Sequence, residues 1–196
     1  TGAVGDCTIS AHQAGNGTYL PAETVSRTFQ VVQATYLLGV TVEGQGTVAG
    51  AGIACPGDCE ELVIADTDVQ LTATPSTDWY FGGWSGAASG TTTPVSVTMD
   101  AAKSVTATFL AKAAQTITFD QALPNVLTSA PPITLTATSS SGLAVDYTTT
   151  GACSVAGSTL TVTGAGSCSV TANQAGNATT LAAAPVTRTF SVAPAT

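Results

Sequence analysis

The side chains that could do chemistry in this sequence are few, and their types limit that chemistry sharply. The 196 residues include one histidine (His12), four basic and twelve acidic residues, and five cysteines. A nucleophilic mechanism needs a histidine or lysine positioned beside a serine or cysteine. His12 is the whole histidine supply, and Asn173 stands at the equivalent point of an internal repeat. A position that accepts an amide reads as a surface strand residue and not as a base, so no catalysis is expected. Eight of the twelve acids fall between Glu43 and Asp100, with Asp58, Glu60, Glu61, Asp66 and Asp68 the densest group. Paired carboxylates can hydrolyse glycosides, and clustered carboxylate oxygens can hold calcium. Spacing alone builds neither site. A solvated acidic edge is the ordinary outcome. Calcium on Asp58, Glu60, Asp66 and Asp68 is the alternative, with no EF-hand loop pattern behind it.

Trp79, Tyr80 and Trp84 are the one aromatic cluster that could stack on a sugar ring. Alternation along a strand places Trp79 and Phe81 on one face and Tyr80 on the other. A glycan patch would therefore use Tyr80, with Trp79 nearby, and the small and hydroxylated residues of the 87–93 loop. The alternative is that these rings pack in a core. Lys103 and Lys112 are the only lysines available to an intramolecular isopeptide crosslink, and a lysine opening a strand usually snorkels to solvent. Arg27 shares strand parity with Val25, Phe29 and Val31, as Arg188 does with Val186, Phe190 and Val192. A structural role is expected for both, either against edge pairing or beside a carboxylate such as Asp146. Asn16-Gly17-Thr18 and Asn177-Ala178-Thr179 match the glycosylation sequon, and a turn asparagine is the plainer reading.

The elements that must position these residues are set by composition. Charged residues make up 8% of the chain, against roughly 25% in typical soluble domains, which argues against long helices laced with ion pairs. The net charge of -8 repels phosphate backbones and anionic headgroups, so neither nucleic acid nor a membrane is expected as a partner. No apolar run approaches the roughly 20 residues of a membrane helix. Thirty-six threonines, 16 serines and 20 glycines beside 44% hydrophobic residues favour strands and turns. The expected class is all-β.

An internal repeat organises the chain. From Asp6 onward, residues 6–31 align with residues 167–192 at a constant offset of 161, with 14 identities in 26 positions. The identities include Cys7 with Cys168, Gln13-Ala14-Gly15-Asn16 with Gln174-Ala175-Gly176-Asn177, and Arg27-Thr28-Phe29 with Arg188-Thr189-Phe190. The expectation is a slice of a tandem array, in which neighbouring modules support one another. Residues 1–31 read as the last strands of a truncated module, 36–110 as a second module and 115–193 as a complete copy of the first kind. Residues 36–109 alternate apolar and hydroxyl positions: Tyr36, Leu38, Val40 and Val42; Val69, Leu71 and Ala73; Val95, Val97 and Met99; Val105, Ala107 and Phe109. Such strands have one wet face. The last module suggests strands at 115–119, 132–138, 143–149, 152–156, 158–162, 167–174 and 185–192, with Pro124, Pro131 and Pro132 barring strand interiors between them, a Greek-key sandwich. The joints at 32–35 and 111–114 are four residues each, short enough to predict a stiff rod.

An odd number of cysteines needs an explanation, and the repeat supplies one. Cys153 and Cys168 are 15 apart on strands able to neighbour each other, and a bridge there is worth about 3 kcal/mol in the chain-entropy model. Cys55 and Cys59 can close a five-residue turn. Cys7 is left unpaired, with its expected mate upstream of Thr1 where the counterpart of Cys153 would stand. Zinc is the competing reading, but a closed site needs four ligands and the lone histidine is in another module. Disulfides imply an oxidising compartment.

The middle module resembles the divergent internalin-type B-repeat of bacterial surface and secreted proteins. The motifs that carry the likeness are Gly44-Gln45-Gly46, Leu71-Thr72-Ala73-Thr74-Pro75, the Phe81 to Gly86 segment FGGWSG, and the Lys103 to Phe109 segment KSVTATF. The resemblance implies a β-grasp-like module with no catalytic residues, places Trp84 in its core, and suggests a looser 87–93 loop because this chain lacks the second cysteine pair found there in many relatives. The last module resembles bacterial immunoglobulin-like repeats through Cys153 to Gly157, Cys168 to Ala172 and Gln174 to Asn177. Together these imply an all-β rod of immunoglobulin-like sandwiches alternating with B-repeats, at a bacterial cell surface or outside the cell. The expected role is a non-enzymatic spacer or stalk of an adhesin-like or surface-fibre protein, needing no cofactor. Its partners would be adjacent modules, copies of itself in a fibre, or a glycan or host surface. The alternatives are a self-assembling filament completed by strands of neighbouring chains, and a glycan-binding module.

Overall fold

The computed structural model describes residues 4–195, so the ends of the repeat at residues 1–3 and 196 lie outside the described residues. Every regular element among the described residues is a strand. One compact unit takes the chain up to Thr74 together with Gly82–Thr108, and the other takes Pro75–Phe81 together with the chain from Phe109 onward.

The first unit opens with a hairpin, β1 (Gly5–Gln13) and β2 (Ala22–Val31), paired antiparallel from Gly5↔Val31 to Ala11↔Val25. The B-repeat-like region contributes β3 (Thr35–Glu43), β4 (Gly46–Gly50), β5 (Ile53–Cys55), β6 (Glu60–Ile64), β7 (Asp68–Pro75), β8 (Trp79–Gly86), β9 (Val95–Thr98) and β10 (Lys103–Ala111). They form two four-stranded sheets, ordered β6-β3-β10-β8 and β5-β4-β7-β9. The period-two pattern places Leu38, Val40, Val48, Ile53, Val69, Leu71, Val97, Met99, Val105 and Ala107 inside. Their alternating neighbours on β7 and β9 are exposed. β3 and β10 run parallel, with Val40 opposite Val105 and Val42 opposite Ala107. Parallel neighbours need a long crossover, and here the chain from β4 to β9 supplies it, building the second sheet from β4, β5, β7 and β9 and adding β6 and β8 to the edges of the first.

In the second unit the short strands β11 (Ile117–Thr118), β12 (Val126–Leu127), β13 (Ile133–Thr134) and β14 (Thr138–Ser139) precede β15 (Asp146–Gly151), β16 (Cys153–Ala156), β17 (Thr159–Val162), β18 (Gly166–Asn173) and β19 (Val186–Ala193). The sheets are β12-β19-β18-β15, β13-β17-β16 and the small β11-β14 pair. The expected strand at 132–138 is split between two sheets, and Val126–Leu127 pairs parallel with β19 just after Pro124. Two-residue strands carry too little alternation to be read from a sequence. Phe119, Leu135, Leu160, Val170, Phe190 and Val192 fill the core, and the Phe119 and Tyr147 rings meet edge to face at 5.9 Å. The chain passes from β15 to β16 at Gly151, whose φ of 89° and close approach to the Ser167 carbonyl leave no room for a Cβ.

Candidate functional site

The repeat is reproduced in three dimensions residue by residue. In β1–β2, Cys7 faces Phe29, Ile9 faces Arg27 and Ala11 faces Val25. In β18–β19 the same offset gives Cys168 facing Phe190, Val170 facing Arg188 and Ala172 facing Val186. The turns agree as well. Gly15 and Gly176 have φ of 73° and 75°, a left-handed conformation that favours glycine. The Oδ1 of Asn16 accepts from the Thr18 amide and that of Asn177 from the Thr179 amide, both at 2.9 Å. Both sequon asparagines are thus turn residues. On the outer faces, hydroxyl pairs match: Ser10 with Ser26 at 2.7 Å and Thr171 with Thr187 at 2.8 Å.

The inner faces have opposite fates. Cys168, Val170, Ala172, Phe190 and Val192 are buried at 5% exposure or less, whereas Ile9, Val25 and Phe29 are exposed at 62%, 56% and 51%. What covers the second copy is the stretch from Ala113 to Val162. Cys153 on β16 is bonded to Cys168 on β18 with Cα atoms 5.6 Å apart. The two strands belong to opposite sheets, so the bridge staples across the core where the sequence suggested strands side by side. Arg188 donates from Nε to the Phe119 carbonyl at 2.8 Å, and its Nη2 lies 3.7 Å from Asp120 Oδ1. The expected partner Asp146 is not used: it lies on β15 opposite Asn173, and β18 separates that strand from Arg188 on β19. Gln174 completes the contact. Gln115 donates to its Oε1 at 2.6 Å and to the Leu181 carbonyl at 2.6 Å, Ser141 donates to Gln115 Oε1 at 2.5 Å, and the Gly176 amide donates to Gln174 Oε1. Gln115 and Gln174 are 8% and 9% exposed, and a buried amide needs such partners. Sequence reasoning passed over this pair. The signal that could have found it is the identity of Gln13 and Gln174 inside an otherwise small-residue turn.

The remaining candidates lie elsewhere. Cys55 and Cys59 are bonded, Cα atoms 4.7 Å apart, around a loop in which Ala54 and Asp58 exchange backbone hydrogen bonds at 2.8 and 3.1 Å. Cys7 is a free, half-buried thiol. The acids do not gather. Asp58 sits in the Cys55–Cys59 loop and Glu60 on β6. Asp66 occupies a turn at φ 62°, and Asp68 on β7 accepts from the Thr98 hydroxyl at 2.5 Å. Among the described residues no three histidine, cysteine or acidic side chains are grouped so as to hold a metal ion, Asp58, Glu60, Asp66 and Asp68 included. They are scattered over two strands and two turns, because closeness in sequence along β-strands does not converge side chains. Asp100 pairs with Lys103 at 2.5 Å, and this hydrogen bond and charge hold its carboxyl below the ordinary aspartate range. Trp79 and Tyr80 are both half-buried on β8. Trp84 is buried, donating from its indole to the Thr92 carbonyl at 2.9 Å, while the Thr93 hydroxyl accepts from the Ala73 amide at 2.8 Å. The 87–93 loop is therefore tied down by hydrogen bonds in place of a cysteine pair. His12 is exposed.

Residues 36–113 match the family model of the divergent InlB B-repeat domain. No curated protein matches the chain. The family match points to a bacterial surface repeat protein, and together with the two disulfides it is consistent with an extracellular or surface location.

Proposed function

We propose that this chain is a non-catalytic spacer segment of a bacterial extracellular repeat protein, with residues 36–110 and 115–193 as successive modules and the hairpin ending at Val31 as the last two strands of a third. The observation that carries this reading is the B-repeat match flanked by two copies of one hairpin in one register. In a repeat array each unit is stabilised with its neighbours, which suits small β-structures of this kind. The last module reads as immunoglobulin-like. Its support is the parallel β12–β19 pairing and a disulfide joining the two sheets. Covalent staples suit a module that transmits load, because they shorten the length released when it yields.

Pulling single chains from their two ends tests the role. The last module should unfold in one cooperative step, and reduction should lengthen that step by about 50 Å, the sequence separation of 15 between Cys153 and Cys168 at roughly 3.3–3.6 Å per residue. Stretching without a force peak, or saturable binding of the chain to a soluble glycan, overturns the spacer reading.

The filament alternative draws on the exposed face of β1–β2. In this chain, however, the segment that would complete that hairpin is already occupied by β18–β19. A copy with its last module intact has no free covering segment to offer a neighbour's hairpin, and this favours the spacer.

A further inference from the structure

The β1–β2 hairpin presents an apolar face with no cover, and the same chain displays what covers its twin. Cys7, Ile9, Ala11, Val25, Phe29 and Val31 stand where Cys168, Val170, Ala172, Val186, Phe190 and Val192 stand, in the same register. In the twin, three features of the covering segment meet matching features of the hairpin. Cys153 meets the cysteine, the Phe119 carbonyl with the Asp120 carboxylate meets the arginine, and Gln115 meets the glutamine of the turn. Each matching feature is present in the hairpin as Cys7, Arg27 and Gln13. The complementarity is therefore apolar, ionic and covalent at once, and it specifies one kind of occupant.

We propose that β1–β2 is a docking face for a polypeptide segment of the same kind as Ala113–Val162, which it completes as the last two strands of a sandwich. Docking brings Cys7 against the cysteine at the Cys153 position. The two thiols then form one S–S bond, giving two protons and two electrons to a small-molecule disulfide such as oxidised glutathione, which leaves as two thiols. This inference stands on the internal repeat and does not depend on the spacer role.

The test extends the full chain by placing a second copy of Ala113–Val162 directly ahead of Thr1. Under native conditions in a glutathione redox buffer, Cys7 should become resistant to iodoacetamide. Peptide mapping should find it bonded to the added cysteine. Amide exchange across β1–β2 should slow by roughly 100-fold as the hairpin joins a cooperative unit. A Phe29→Asp change in the extended chain should abolish that slowing while leaving exchange in β18–β19 unaltered. If the extension prevents folding, the Ala113–Val162 peptide added to the unextended chain is the second arm, read by a Cys7–Cys153 mixed disulfide in excess over Cys7–Cys7. Cys7 remaining alkylatable and hairpin exchange unchanged in both arms overturn the proposal. So does a stable dimer of the unextended, Cys7-capped chain with protected hairpins, which would give the face to a second copy.

Discussion

Two hairpins in this molecule share their pairing and differ in their surroundings. β1–β2 and β18–β19 agree in cross-strand register, in the left-handed glycine of the turn and in the asparagine that caps it. Yet Phe29 is 51% exposed where Phe190 is 5% exposed. Local sequence therefore sets hairpin geometry. The turn requires a glycine able to take positive φ, and matched cross-strand pairs fix the register. Burial is a property of what lies opposite. The same Cys, Phe, Arg and Gln form a core contact in one copy and a bare face in the other.

The most forceful way to break this comparison is to truncate the two phenylalanines. Phe190→Ala should cost about 3–5 kcal/mol, the usual range for a buried phenylalanine, measured by denaturant unfolding of the last module. Phe29→Ala should stay within about 0.5 kcal/mol, as for surface changes. Similar losses at both sites would mean that the first hairpin is not bare in solution. Next in size is the staple. Replacing Cys153 and Cys168 together by Ser should destabilise the last module by about 3 kcal/mol, whereas Cys7→Ser should leave the unfolding midpoint where it is.

The amide pair gives a smaller contrast. Gln174→Ala strips partners from the buried Gln115 and the Gly176 amide, and an unsatisfied buried group costs about 1–3 kcal/mol. Gln13→Ala removes an exposed side chain and should be silent. Calorimetry on the two single variants decides it, and equal shifts would show that the glutamine serves the turn rather than the core.

How much of this was legible in the sequence depends on whether an interaction is local or long-range. The hairpins were legible, because the offset of 161 maps the cross-strand pairs from Gly5↔Val31 to Ala11↔Val25 onto those of the second copy. The core of the middle module was legible too, since Leu38, Val40, Leu71, Val97 and Val105 keep strict alternation. The two cysteine pairs could be written down, but not that Cys153 and Cys168 face each other across sheets. Gln115 with Gln174 and Arg188 with the Phe119 carbonyl span 59 and 69 residues, and no periodicity encodes such a meeting. The acids show the converse. Asp58, Glu60, Asp66 and Asp68 are close in sequence, but a strand rises about 3.3 Å per residue and turns alternate side chains away from each other.

The smallest effect expected is one of pH, and it serves as a control on the two hairpins because it arises outside both. Asp100 accepts from Lys103 at 2.5 Å, which lowers its carboxyl pKa in the folded chain. A carboxylate depressed on folding contributes stability above its unfolded pKa, and that stability is lost as pH falls through the lower folded value. Since an unperturbed aspartate titrates near 3.9, the loss should begin below about pH 4 and reach only the middle module. Both partners are surface groups, so the shift in midpoint should be slight and should shrink with added salt. Asp100→Asn should remove the salt-sensitive part while the Phe190 and Phe29 contrast keeps its size. A change in that contrast on acidification would mean that the difference between the hairpins is electrostatic and not a matter of apolar cover.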